Sequence, residues 1–220
     1  MRGEIGVEND KKISMAVIKR LPRYYRYLGE LLDNNITRIS SKELSERMNI
    51  TASQIRQDLN NFGGFGQQGY GYNVDYLYNE IRKILGIDQK KNMVIIGIGN
   101  IGQALANYSN FEKRGFYLIG LFDNNPRIIG NTVKGIEIKD IEVIEDFLKE
   151  NHVDIAILTL PKNRVAKVVK DLVGYGVKGL WNFSPVDLQV PDDVVVENVH
   201  LSDSLMTLAY KLDEVKKSKK

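Results

Sequence analysis

Three glycines and one acid supply the clearest chemistry in this sequence. In "VIIGIGNIGQALANYSNF", residues 94–111, Gly97, Gly99 and Gly102 form a G-x-G-x-x-G string, and Asp123 follows 21 positions after the last of them. The string alone is a weak signal, because glycine is common. Here an apolar run precedes it, a helical run follows it, and the acid falls at the end of the next apolar run. That is the arrangement of a dinucleotide-binding turn. Gly97 allows the sharp turn. Gly99 lets the backbone of Ile98, Gly99, Asn100 and Ile101 approach a pyrophosphate, and Gly102 lets helix and strand pack closely. The helix N-terminus offers unpaired N–H groups and partial positive charge to the phosphates. Asp123 would accept hydrogen bonds from the adenosine ribose and repel a 2′-phosphate, which favours NAD+ and NADH over their phosphorylated counterparts.

The nicotinamide end of such a ligand should lie over the carboxyl ends of later strands. "LTLP", 158–161, and "WNFSP", 181–185, end such strands, so Thr159, Pro161, Asn182, Phe183 and Pro185 are candidate pocket residues. A hydride-transferring enzyme needs a proton partner and a substrate clamp as well. Neither stands in a recognisable motif. His152 falls in the turn "ENHVD", far from the expected cleft, and His200 follows the last apolar run without an orienting carboxylate in any identifiable pattern. There is no Tyr-x-x-x-Lys pair and no cysteine. The reading is a binding protein without catalytic or metal-ligating residues. The alternatives are an NAD-dependent oxidoreductase with an accessory helical domain, and a nucleotide-dependent interaction protein that does not touch DNA.

A second set of residues suits nucleic acid. "TRISSKELSERMNI" predicts a short helix capped by Ser40 or Ser41 and running through Met48. "ITASQIRQDLNNFGG" predicts another, Ala52 to Phe62, capped by Thr51 or Ser53 and stopped by Gly63. Ile55, Leu59 and Phe62 would face the core, leaving Ser53, Gln54, Arg56, Gln57 and Asn60 outward. Arg suits guanine, and Gln or Asn suits adenine. Arg38, Ser40, Ser41 and Lys42 suit phosphate contact. "FGGFGQQGYGYNV" reads as a tight β-hairpin with Gln67 and Gln68 near its tip. Helix, helix-turn-helix and hairpin together predict a winged helix, whose second short helix enters the major groove.

The elements that carry these residues fall into two halves. Residues 1–91 hold 15 Lys and Arg against 11 Asp and Glu, and residues 92–220 hold 16 against 17, so the front half is the basic one. Helical spacing of Val17, Leu21, Tyr24, Leu28 and Leu31 opens the front half. Residues 74–85 predict a linking helix, and polar "GIDQKKN" makes a junction. From 92 onward strands alternate with helices, which predicts a doubly wound parallel sheet. The expected domains are 1–85, a winged helix; 86–91, a junction; 92–200, a Rossmann domain; and 201–220, a terminal helix with a basic tail. Leu201, Leu205, Leu208 and Leu212 form an apolar stripe on that helix, which a monomer could fold onto itself but which suits a partner copy better. No apolar run approaches the ~20 residues of a membrane span. With no cysteines and no apolar leader at the start, a cytoplasmic location is the default expectation.

Taken in order, "RLPRYYRYL", "SSKEL", "TASQIRQDL", "FGGFGQQGYGYNV", "GIGNIGQALANY", "FDNNPRIIG", "AILTLP", "VKGLWNFSPVDLQVP" and "VENVHLSDSL" strongly resemble the Rex family of bacterial redox-sensing transcriptional repressors. The resemblance runs from about residue 13 to residue 212. It implies a homodimer that binds inverted-repeat operator DNA when NAD+ prevails and releases it as NADH rises, with the C-terminal helix exchanged between subunits. It also implies that Arg26 and Tyr108 take part in a ligand-dependent contact between domains or subunits. His200 stands where many relatives carry the Asp that partners those two positions.

Overall fold

The computed structural model describes residues 13–63, 66–67 and 70–218, with residues 66 and 67 described by their backbone alone. The chain divides into two compact units, 1–88 and 89–220.

In the first unit the elements run α1 (Met15–Ile18), α2 (Leu21–Asp33), β1 (Arg38–Ile39), α3 (Ser41–Met48), α4 (Ala52–Asn60), β2 (Gly66–Gln67), β3 (Gly71–Asn73) and α5 (Val74–Ile84). Pro22 sits in the first turn of α2, where its missing N–H has no intrahelical partner to lose. The helical spacing that begins at Val17 therefore spans two helices rather than one. α2 buries Leu21, Tyr24, Tyr25, Leu28 and Leu31. α5, expected as a linker, instead buries Val74, Leu77 and Ile81, and Tyr78 stacks on Tyr25 of α2 with centroids 4.3 Å apart. Burial lifts the Tyr78 phenol to about 12, aided by its hydrogen bond to the Tyr25 hydroxyl.

Asn49 turns α3 into α4 with a left-handed backbone, φ 51°, which Asn tolerates better than most residues. Between the two possible caps of each short helix, Ser40 and Thr51 are the ones used. α4 ends at Asn60, two residues before the expected limit, and Phe62 is only half-buried. The hairpin strands join β1 in a three-stranded antiparallel sheet ordered β1-β3-β2. Gly71 is obligatory there: its φ is +71°, and a Cβ would lie 2.6 Å from the Ile39 carbonyl oxygen.

The second unit contains β4 (Lys91–Ile96), α6 (Asn100–Ala106), β5 (Phe116–Asp123), β6 (Thr132–Val133), β7 (Ile136–Asp140), α7 (Ile144–Glu150), β8 (Ile155–Leu158), α8 (Lys162–Gly174), β9 (Gly179–Asn182), β10 (Val195–Asn198) and α9 (Leu201–Lys217). Its sheet is ordered β10-β9-β8-β4-β5-β7-β6, parallel except for β6 at one edge. Apolar residues cover both faces, as a parallel sheet requires. One face packs Val94, Ile96, Phe122, Ala156 and Leu158 against Val165, Val169 and Leu172 of α8. The other buries Met93, Ile95, Leu121 and Ile157 with Ala106 of α6. α9 buries nothing: every one of its residues is exposed.

Candidate functional site

Strand order reverses between β4 and β8, because the chain leaves β4 for β5 on one side and later returns to β8 on the other. Ligands of open parallel sheets bind outside the strand ends at such a point. A cleft of about 600 Å³ lies there, lined by Gly97 and Gly99 after β4, Asp123 and Asn124 after β5, and Thr159, Leu160 and Pro161 after β8. Its volume is in the ordinary range of small-molecule sites, roughly 300–1,000 Å³.

The glycines have distinct local reasons. Gly97 has φ +95°, and a Cβ there would lie 2.9 Å from the Thr159 carbonyl oxygen. A Cβ on Gly102 would collide with the Gly97 carbonyl. A Cβ on Gly99 would meet nothing within 4 Å, since it faces open space at the cleft. Two glycines thus serve the fold, and the third leaves room for something else. Thr159 ties the turn down by donating its hydroxyl to the Gly97 carbonyl. Asp123 is oriented by the backbone: one carboxylate oxygen accepts the Ile98 N–H at 2.5 Å and the other the Asn125 N–H at 2.8 Å, which leaves each oxygen able to accept once more. The Ile98 side chain is core, while Asn100 and Ile101 open α6 at the surface.

Sequence reasoning missed part of the cleft. Asn163, Arg164 and Val168 line it from the first turns of α8, and Ile141 lines it from the segment after β7. A helix that follows a strand at the switch point presents its first turn there, but which strand occupies that place is set by the sheet order, which no local spacing encodes. Asn182, Phe183 and Pro185 are not brought into this cleft. Asn182 is buried, donating its amide to Val186 and Asn198 and accepting from the Ser184 N–H. It closes the loop after β9. Phe183 packs edge-on to Trp181 in the core, centroids 4.7 Å apart, and Pro185 is exposed.

On the first unit, Ser53, Arg56, Gln57 and Asn60 are exposed along α4, with Lys42 and Arg38 exposed nearby in sequence. Arg56 donates to the Ser41 hydroxyl at 3.0 Å, which binds the two short helices together. Ser40 is engaged in a capping box with Glu43, and that pairing holds the Glu43 carboxyl below its usual range. Arg38 donates to the Tyr70 carbonyl at 3.3 Å, with its guanidinium 5.9 Å from that ring. Gln54 departs from the outward reading: it is half-buried and donates to the Asp58 carboxylate at 2.7 Å. The side chain of Gln67, and Gln68 altogether, lie outside the described residues.

Of the three expected switch residues, Arg26 is exposed, its guanidinium 5.3 Å from the Tyr27 ring. Tyr108 stands two residues beyond α6, exposed, with its ring edge-on to Phe111. A hydrogen bond from Asn110 and the charge of Arg114 hold its phenol below the ordinary value. His200 precedes α9 and sits 3.4 Å from the Asp187 carboxylate, an orienting acid that sequence reading did not find.

Residues 12–60 match the family model described as a putative DNA-binding protein N-terminus, and residues 88–186 match the CoA binding domain. The redox-sensing transcriptional repressor Rex of Thermoanaerobacter pseudethanolicus is 62% identical over 209 residues, covering 95% of this chain and 93% of that protein. This chain belongs to the Rex family. The Rex of Clostridioides difficile is 59% identical, covering 94% of this chain and 99% of its own. Among solved structures, the Rex-family repressor RSP in complex with β-NAD+ and operator DNA superposes with a TM-score of 0.88 at 60% identity, covering 96% of this chain and 97% of RSP. RSP in complex with β-NADH gives 0.87 at 57% identity, covering 96% and 99%. The fold expected from sequence, an N-terminal DNA-binding domain followed by a Rossmann-type sheet domain, is the fold of the Rex family.

Proposed function

We propose that this Rex family member is a homodimeric repressor that binds operator DNA through α3, α4 and the β2–β3 hairpin, and is released when NADH rises relative to NAD+. The observation that carries the reading is the cleft at Gly99 and Asp123, joined in one chain to a helix-turn-helix with exposed Arg56, Gln57 and Asn60. RSP, alike over nearly its whole length, is described with β-NAD+ and operator DNA and with β-NADH. The adenosine ribose belongs at Asp123, the pyrophosphate over Gly97–Gly102, and Arg164 supplies a cation at the cleft wall. A pocket of low polarity prefers the neutral nicotinamide of NADH to the cationic ring of NAD+, since an unpaired buried charge is costly.

Dimerisation through an exchanged α9 is part of the proposal. Leu201, Leu205, Leu208 and Leu212 are all more than half exposed. The same unit carries an apolar hollow of about 370 Å³ lined by Met93, Phe111, Phe116, Ile155 and Trp181 among others. Stripe and hollow are suited to meet across two copies. Arg26, Tyr108 and His200 are proposed to relay the ligand's redox state, with the His200–Asp187 pair in the place of the acid common among relatives. No part of this needs catalysis, and the location it implies is the cytoplasm.

A gel-shift titration with each nucleotide tests the reading. NADH should weaken operator binding and NAD+ should not; equal affinity at saturating NADH and NAD+ would overturn it. Steady NADH turnover with a small carbonyl substrate would favour the oxidoreductase alternative instead.

A further inference from the structure

Asp58 is the one charged residue among the fully buried described residues, and four donors converge on it. Arg20, just before α2, donates Nε to one oxygen and Nη2 to the other, each at 2.7 Å. The Tyr24 hydroxyl of α2 donates at 2.9 Å. Gln54, one turn earlier on α4, donates its amide nitrogen at 2.7 Å. The Arg20 pair is bidentate, the geometry that adds most to directional specificity. Stability alone does not explain such a group, because buried ion pairs are often replaceable by apolar residues at little loss. What it supplies is orientation. It fixes the rotation of α4 about its own axis against α2, and it fixes which end of the Gln54 amide faces inward. Turning that amide over would set its carbonyl oxygen against the Asp58 carboxylate.

We propose that Asp58 is a positioning residue that makes Gln54 a selective reader of an exocyclic amino group on one DNA base. The inference rests on the proposed DNA-binding role of α4. With its nitrogen anchored, Gln54 keeps its carbonyl oxygen and one N–H for the groove. A free glutamine offers either end to a base. An anchored one presents both groups in a fixed order, its oxygen towards an exocyclic amine and its remaining N–H towards a neighbouring acceptor; adenine and cytosine place an amine at the first position, whereas guanine and thymine set a keto oxygen against the fixed carbonyl. The discrimination expected from one such contact is about 5- to 150-fold between amino and keto bases at one position of each half-site.

The test uses the full-length protein and a duplex library carrying a spaced inverted repeat with randomised half-sites, selected separately with the wild type, Gln54→Ala, Arg20→Lys and Asp58→Asn. The wild type should enrich amino bases at the Gln54 position. Gln54→Ala should lose that preference there alone. Arg20→Lys, which keeps the cation but not the two-pronged hydrogen bond, should weaken it at the same position. Asp58→Asn should abolish or invert it, since its amide lets Gln54 turn over. Combining Gln54→Ala with Arg20→Lys should add nothing at that position. If Gln54→Ala leaves every base preference intact, the inference fails whether or not Asp58→Asn folds. It fails equally if Arg20→Lys and Asp58→Asn weaken all sequences uniformly. If the wild type enriches no sequence, the DNA-binding reading itself is what fails.

Discussion

Gly99 and Gly102 are three residues apart in the sequence and opposite in consequence. A methyl group on Gly99 enters open cleft, whereas one on Gly102 strikes the Gly97 carbonyl. Gly99→Ala should therefore keep its melting temperature and lose NADH affinity, while Gly102→Ala should lose both, as paired thermal melts and calorimetry would show. Asp123→Ala should weaken NADH binding too, but its carboxylate also staples the Ile98 and Asn125 N–H groups. Some loss of stability should accompany it, and unchanged NADH affinity would refute the ribose assignment. For Asp58, burial pushes the carboxyl up, and the Arg20, Gln54 and Tyr24 hydrogen bonds outweigh this, leaving it below the usual carboxylate range. A group whose folded value lies below its unfolded one, about 3.9, stabilises the fold above that pH and loses its contribution as pH falls through the folded value. The stability gap between the wild type and Asp58→Asn should thus shrink as thermal melts are taken from pH 7 towards pH 3. A gap that widened on acidification would contradict the assignment.

Each short helix of the reading motif depends on a single cap. Thr51 accepts from the Gln54 N–H, and its replacement by alanine should cost about 1 kcal/mol of stability by denaturant titration. Arg56→Ala should lower specific DNA affinity by about 1–3 kcal/mol if it reads a base, and a loss confined to non-specific binding would reassign it to phosphate. At this scale much was legible in advance. Caps, glycine turns and the β-branched runs place nearly every helix and strand, because those signals are local. What was hidden depends on partners distant in the chain. Gln54 looks outward on a helical wheel until Asp58, Arg20 and Tyr24 are seen converging beside it. Asn182 looks like a strand-end ligand until Val186 and Asn198 take its amide. Arg164 reaches the cleft only because β8 lies beside β4, an adjacency that no spacing encodes.

Across the whole molecule, a basic DNA-reading unit and a dinucleotide-binding unit share one chain, so the effector acts only through the geometry that connects them. If DNA binding rests on phosphate contacts from Arg38, Lys42 and their neighbours, operator affinity should fall steeply with added salt, as fluorescence anisotropy at increasing potassium chloride would show. A salt-independent affinity would count against that surface. Deleting residues 201–220 should yield a monomer in sedimentation that still binds NADH weakly but no longer binds an inverted repeat tightly. The exposure of α9 has one more consequence. A 17-residue helix with no residue buried gains no apolar burial from its own copy to offset the entropy of ordering it. If α9 packs on a second copy as proposed, its folding is a matter of encounter, governed by mass action. Operator occupancy then rises with roughly the square of the protein's abundance at low dose. A cell carrying this repressor would set its redox threshold by copy number as well as by cofactor ratio.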